Sequence, residues 1–143
     1  MCTAEEFIER KGGYVVWLPP EATVMQAAKV MNERHIGSVL VMNGPRLVGI
    51  FTERDILRRI VAAGRDPQTT LLHNVMTTPV ACAMPHSLLD ELRMVMRAQR
   101  IRHIPVLKND HVIGLISIGD LNQADHDVQE QTIQYLEQYM SVM

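Results

Sequence analysis

Cysteine is nearly absent from this chain, with only Cys2 and Cys82 among 143 residues. The pair forms no CxxC or metal-ligand spacing, so no disulfide framework is read and two reduced thiols in a reducing compartment are expected. Charge of one sign is lacking too, since 14 basic against 16 acidic residues leave a net charge of −2. No broad field exists to draw in a phosphate backbone; nucleic-acid binding is not expected, and any anion site must be local. Long apolar runs are also missing. The acidic opening Met1-Cys2-Thr3-Ala4-Glu5-Glu6 lacks the apolar core of a signal peptide. Nothing downstream reaches membrane-spanning length, so a cytoplasmic protein is expected.

Catalytic and metal motifs are equally scarce. Gly44-Pro45-Arg46-Leu47-Val48-Gly49 runs into Ile50-Phe51 where a P-loop requires Lys-Ser/Thr, and neither GxGxxG nor GxSxG occurs. No set of base, nucleophile and orienting group emerges, so no independent enzyme is expected. The histidines show no HxxxH or HExxH spacing, and no metal site is expected.

What the chain does contain is one pattern written twice. Gly49-Ile50-Phe51-Thr52-Glu53-Arg54-Asp55 returns as Gly114-Leu115-Ile116-Ser117-Ile118-Gly119-Asp120 at a constant offset of 65, since 114 − 49, 117 − 52 and 120 − 55 agree. The register holds without a gap from Pro20/Pro85 through Ile36/Ile101 and Val41/Val106. Two copies of this length suit a paired domain better than an open array. Halves that each expose an apolar sheet face would bury them against one another.

Along the chain, residues 3–10 are predicted as a helix with Phe7 and Ile8 inward, ended by Gly12-Gly13, and residues 14–18 as a strand. Thr23 with Gln26 forms a capping box for the next helix. Residues 39–42 and 47–51 are strands joined at Asn43-Gly44-Pro45-Arg46, and the helix after Thr52 is expected to bury Ile56, Leu57, Ile60 and Val61. In the second copy, residues 80–83 are a predicted strand and Ser87 caps a helix carrying Leu88, Leu92, Val95 and Met96. Strands 104–107 and 112–116 follow. A separate terminal helix with Ile133, Leu136 and Met140 on one side, flanked by Tyr135 and Tyr139, is expected beyond polar residues 122–131. The division read is an N-terminal segment plus repeat one over 1–64, a linker over 65–73, repeat two over 74–125 and a helical tail over 126–143.

The order Pro-x-x-Thr-Val, helix, Ile36-Gly37-Ser38-Val39-Leu40-Val41, turn, Leu47 to Asp55 resembles a CBS domain. The second copy, with Arg102-His103-Ile104-Pro105-Val106 and Gly114 to Asp120, resembles its partner, so about residues 11–123 resemble a stand-alone CBS pair. The resemblance implies an α+β fold of two tandem βαββα repeats related by pseudo-twofold symmetry and packed sheet to sheet. It also implies a regulatory module that binds an adenine nucleotide (AMP, ADP, ATP or NAD) between the repeats. Such a module would sense energy or redox state and act on a protein effector in trans, commonly as a head-to-head homodimer.

Two readings fit the paired corners. Thr52/Asp55 and Ser117/Asp120 match a capping box, which needs no ligand and leaves a structural or oligomerisation scaffold with empty clefts. Equally, a carboxylate there can accept from vicinal ribose hydroxyls while helix-start amides receive a phosphate, and the resemblance assigns that role to Thr52, Asp55, Ser117 and Asp120. By the same resemblance, the corner of repeat two is completed by the main chain of Arg102, His103 and Ile104 and by residues 13–16 including Val16. The corner of repeat one is completed by Gly37, Ser38 and Val39 and by Thr77 to Val80. The corners differ, because Arg54 can fork onto a phosphate or be a solvated helix-start residue, whereas Gly119 would admit close approach of the ligand. His103 is either a phosphate neighbour or a half-buried strand histidine. Arg58 and Arg59 read as an exposed helix face.

Overall fold

Thr3 turns the chain into helix α1 (Ala4–Lys11): its Oγ1 accepts from Glu6 N at 3.2 Å, and Gly12 at φ +99° ends the helix. In the computed structural model, which describes residues 2–141, the next pairing is a short strand β1 (Trp17–Leu18). Thr23 then caps α2 (Val24–Arg34) with a reciprocal box, Gln26 N donating to Thr23 Oγ1 at 3.2 Å and Thr23 N to Gln26 Oε1 at 2.8 Å. Strands β2 (Ser38–Asn43) and β3 (Arg46–Thr52) form an antiparallel hairpin, and β1 adds in parallel to β2, giving the order β1-β2-β3.

From Thr52 the chain enters α3 (Glu53–Asp55), which widens into a π-helix over Ile56–Val61. There Ala62 N reaches Leu57 O at 2.9 Å, a bond five residues long. Only the Ile56/Ile60 side joins the core; Leu57 and Val61 are 61% and 68% exposed, contrary to the expectation that all four are buried.

A short helix α4 (Leu72–Val75) lies in the connection. Helix α5 (Leu89–Gln99) starts at Leu88, whose amide donates to Glu91 Oε2 at 3.3 Å. Ser87 is therefore not the cap: its Oγ accepts from Met84 N at 3.0 Å and closes the preceding turn. Strands β4 (His103–Lys108) and β5 (His111–Ser117) pair antiparallel. In place of a strand over residues 80–83, only Ala83 pairs, in parallel with Val106. Pro79 and Pro85, which have no amide to donate, bracket that stretch.

The duplication extends to hydrogen-bond register. Leu18 opposes Val41 and Ala83 opposes Val106, both in parallel, and 83 − 18 and 106 − 41 both equal 65. Both hairpins break register at the same place, Val41/Met42 and Val106/Leu107. The departure comes last, since α6 (Ile118–Ser141) is one continuous helix of 24 residues rather than a corner helix, a polar gap and a tail. Ile133, Leu136 and Met140 are exposed along it; the side chains of Tyr135 and Tyr139 lie outside those described.

Apolar side chains gather in two clusters, one per half. The first joins Val24, Met31, Val41, Phe51 and Ile60 to Leu72 and Val75 of α4. The second joins Leu92, Met96, Ile104, Val106, Ile116 and Leu121 to Ala4, Phe7 and Ile8 of α1. Each half is thus closed by the segment that leads into the other. Glycines permit this, for a side chain at Gly49 would run into Met76 and one at Gly114 into Ile8.

Candidate functional site

At corner one, Asp55 folds back on its own cap. Its Oδ2 accepts from Thr52 N at 2.9 Å and from Thr52 Oγ1 at 3.2 Å, while Asp55 N donates to Thr52 Oγ1 at 3.3 Å. Longer contacts come from Thr77 Oγ1 at 3.5 Å and from Arg59 Nε at 3.6 Å. Arg59 is held in turn by the carbonyls of Val75 and Met76 at 2.8 and 2.9 Å, so it is not simply an exposed helix face. Asp55, 8% exposed, is the one buried charged residue among those described.

This carboxylate opens on a cleft of about 210 Å³ to which both halves contribute: Thr52, Arg54, Asp55, Arg58 and Thr77 from one side, and residues 100–103 from the other. Arg54 Nη1 bridges it, reaching Arg100 O at 3.5 Å.

Corner two repeats the cap with a different clamp. Asp120 Oδ2 accepts from Ser117 N at 2.9 Å, and Asp120 N donates to Ser117 Oγ at 3.0 Å. In place of an arginine and a threonine stands Lys11 from α1, whose Nζ donates to Asp120 Oδ2 at 2.7 Å and to Leu115 O at 2.6 Å. Burial pushes the Asp120 carboxyl up. The hydrogen bonds from Lys11 and the Ser117 amide, with the lysine charge, outweigh burial and leave it below the usual carboxylate range. The adjoining cleft, about 420 Å³, is lined by Lys11, residues 14–16, residues 34–38, His103, Leu115, Ser117 and Asp120. Arg34 lies over the Tyr14 ring, 5.6 Å from its centroid, and donates to its hydroxyl.

The residues read from sequence are therefore redistributed. Main chains stay with their own corner: Glu53 N donates to Gly37 O at 3.0 Å, Ile118 N to Arg102 O at 2.8 Å, and Ser38 and His103 pair with Thr52 and Ser117. The clefts are lined crosswise. Arg102 lines the cleft of corner one and Gly37 and Ser38 that of corner two, while His103 lines both. Val16 and Thr77 line the clefts expected of them. Val39 and Ile104 are core residues at 0% and 1% exposure. Val80 and Gly119 line neither cleft.

The idea of freely available helix-start amides also needs correcting, because the amides of Glu53, Asp55, Ile118 and Asp120 all have acceptors. What sequence reasoning missed are Lys11, Arg34 and Arg100, each distant in sequence from the corner it faces. The offset of 65 gave no sign of them, since the residues 65 positions away, Met76, Gln99 and His35, are neither lysine nor arginine. Burial lowers the imidazole pKa of His103; Glu53 and Asp120 pull the other way without reversing the shift.

With two equivalent corners and two shared clefts established, comparison with known proteins is decisive. The model of the CBS domain matches residues 11–62 and again residues 72–127. The chain belongs to the CBS-domain family. It is similar to the CBS domain-containing protein CBSX3, mitochondrial, of Arabidopsis thaliana, at 32% identity over 96% of this chain and 71% of that protein. Among solved structures, the CBS-domain containing protein ATU1752 from Agrobacterium tumefaciens matches with a TM-score of 0.82 at 32% identity, covering 87% of this chain and 99% of that one. The CBS domain protein PAE2072 from Pyrobaculum aerophilum, complexed with AMP, matches with a TM-score of 0.74 at 27% identity, covering 84% and 90%. As a CBS pair, this chain is of a kind that is generally regulatory and nucleotide-binding. Among its described residues, no helix is long and apolar enough to cross a membrane, and no group of three or more potential ligands could hold a metal ion.

Proposed function

We propose that this CBS pair binds an adenine nucleotide, AMP, ADP, ATP or NAD, between its halves and reports energy or redox state to a protein effector in trans. The reading rests above all on Asp55 and Asp120, 65 residues apart, each standing at a cleft built by both repeats. A carboxylate there accepts from two vicinal ribose hydroxyls. At corner one the sugar displaces the weakest contacts, those of Thr77 and Arg59 beyond 3.4 Å. Thr52 and Arg54 lie within reach of the ligand, with Arg102 and His103 opposite. At corner two, Ser117 and Asp120 hold the sugar while Val16, Gly37 and Ser38 form the wall. The AMP complex of PAE2072 supports this choice of ligand.

A nucleotide that touches both halves shifts their packing only through its differential affinity for the two arrangements. A cytoplasmic homodimer is part of the same proposal, and the exposed apolar residues Ile133, Leu136 and Met140 of α6 support an intersubunit contact.

The competing reading is a scaffold, favoured by one observation: Asp55 Oδ2 and Asp120 Oδ2 already accept from the Thr52 and Ser117 amides of their own caps. Thermal melting separates the two. A nucleotide at a hundred times its dissociation constant adds about 2.7 kcal/mol of stability. Flat melting midpoints with AMP, ADP, ATP and NAD would give the field to the scaffold, and binding that survives Asp55→Ala combined with Asp120→Ala would refute the site.

A further inference from the structure

Six of the chain's eleven arginines line one depression of about 520 Å³: Arg54, Arg58, Arg93, Arg97, Arg100 and Arg102. No Asp or Glu is in its lining. It runs into the corner-one cleft, and the two share Arg54, Arg58, Arg100, Ile101 and Arg102 along their common border. Arg93 is neutralised by Asp125 at 2.8 Å and Asp90 at 3.9 Å. For Arg58, Arg97, Arg100 and Arg102, no acidic partner occurs among the described residues.

Folding does not explain this gathering. Arg97 and Arg100 complement the negative end of the α5 dipole, but Arg54 and Arg58 come from the helix after corner one and Arg102 from the residues just before β4. Like charges drawn together from three elements repel, and they destabilise the fold until an anion neutralises them. In a chain of net charge −2, this is a local concentration of positive charge. Guanidinium groups also offer planar pairs of donors suited to phosphate oxygens. Corner two has no equivalent: Lys11 is committed to Asp120 and Arg34 to Tyr14.

We propose that this groove takes a chain of three or more phosphates, either as the tail of a nucleotide whose ribose sits on Asp55 or as free polyphosphate. The first form rests on the nucleotide reading above; the second stands without it. Corner one is then the site for the ligand with the longer tail and corner two for the shorter.

The test is calorimetric titration of an Asp120→Ala protein, which silences corner two, with AMP, ATP and inorganic tripolyphosphate in turn. ATP should bind roughly tenfold more tightly than AMP, the scale of one added charge-assisted hydrogen bond. Arg97→Gln, which lies outside the corner-one cleft, should weaken ATP about five- to tenfold and leave AMP within about twofold. Thermal melting confirms that the variant is folded. Tripolyphosphate bound without any nucleotide binding, and weakened by Arg97→Gln, would uphold the groove and reject the nucleotide reading. AMP bound with no gain for ATP and no tripolyphosphate binding would do the reverse. A random oligonucleotide that displaces ATP at about 0.15 M salt would overturn the proposal in favour of a nucleic-acid surface.

Discussion

Corner one and corner two are built on the same frame and restrained by different hands. Asp55 is buried and held by Thr52 and Arg59 of its own repeat and by Thr77 from the segment that leads into the second, and its cleft is rimmed with arginine. Asp120 is half-buried and held by Lys11, more than a hundred residues away in sequence, and its cleft is rimmed by a tyrosine, an arginine over that ring and main chain. Duplication fixes where a carboxylate stands; what surrounds it differs because equivalent positions carry different residues, Arg54 against Gly119 and Arg100 against His35, and because Lys11 reaches in from outside the repeated register. The corners are equivalent in backbone and unlike in chemistry.

The largest effect that bears on this comparison should come from the cores. Phe51→Ala, at a fully buried position, is expected to cost about 3–5 kcal/mol, and Ile116→Ala, its counterpart 65 residues on, about 2–5 kcal/mol, measured by urea denaturation. Next come the carboxylates. Asp55→Ala strips a partner from the Thr52 amide and hydroxyl, the Thr77 hydroxyl and Arg59, at about 2–3 kcal/mol, while Asp120→Ala removes a partly exposed cap and the partner of Lys11 at about 1 kcal/mol. Equal losses would mean that the corners are less different than their geometry.

The glycines sharpen the contrast. Gly114→Ala forces methyl against the β-branched Ile8, which has few rotamers to escape into, and should cost about 2 kcal/mol; Gly49→Ala meets the pliable Met76 and should cost about 1 kcal/mol.

The smallest effect is electrostatic. Because the Asp120 carboxyl titrates below its ordinary value, the folded state binds that proton less readily than the unfolded chain. Its contribution is present above about pH 3.9, the unfolded value, and fades as pH falls through the folded one. Lys11→Met should raise the Asp120 midpoint in a carboxyl NMR titration. His103, depressed by burial but lifted by Glu53, should titrate lower still in Glu53→Gln. As it lines both clefts, its ring resonances should respond to a ligand in either.

The hairpins, the Thr23 box and the paired corners were legible because each is set by residues within a few positions of one another. Leu57 and Val61 misled because apolar spacing shows which side of a coil is oily, not whether another element will cover it. Residues 122–131 looked like a break because they are polar, yet no Gly or Pro lies between Asp120 and Ser141, so nothing stops the helix. The cross-lining of the clefts was not legible, since a repeat aligns residues within halves and does not say which half a loop's side chains face. The arginine groove was hidden for the same reason: Arg54, Arg58, Arg97, Arg100 and Arg102 are scattered along the chain and meet only after the halves dock.

Helix α1 leans on β5, and α4 leans on β3. Mechanically, then, the first turn of the polypeptide is wired to its last strand. A tug applied ahead of Thr3 would be felt at Asp120 through Lys11 before it reached the repeat next in line, and a cut in the linker would leave two fragments each missing the lid that the other carries.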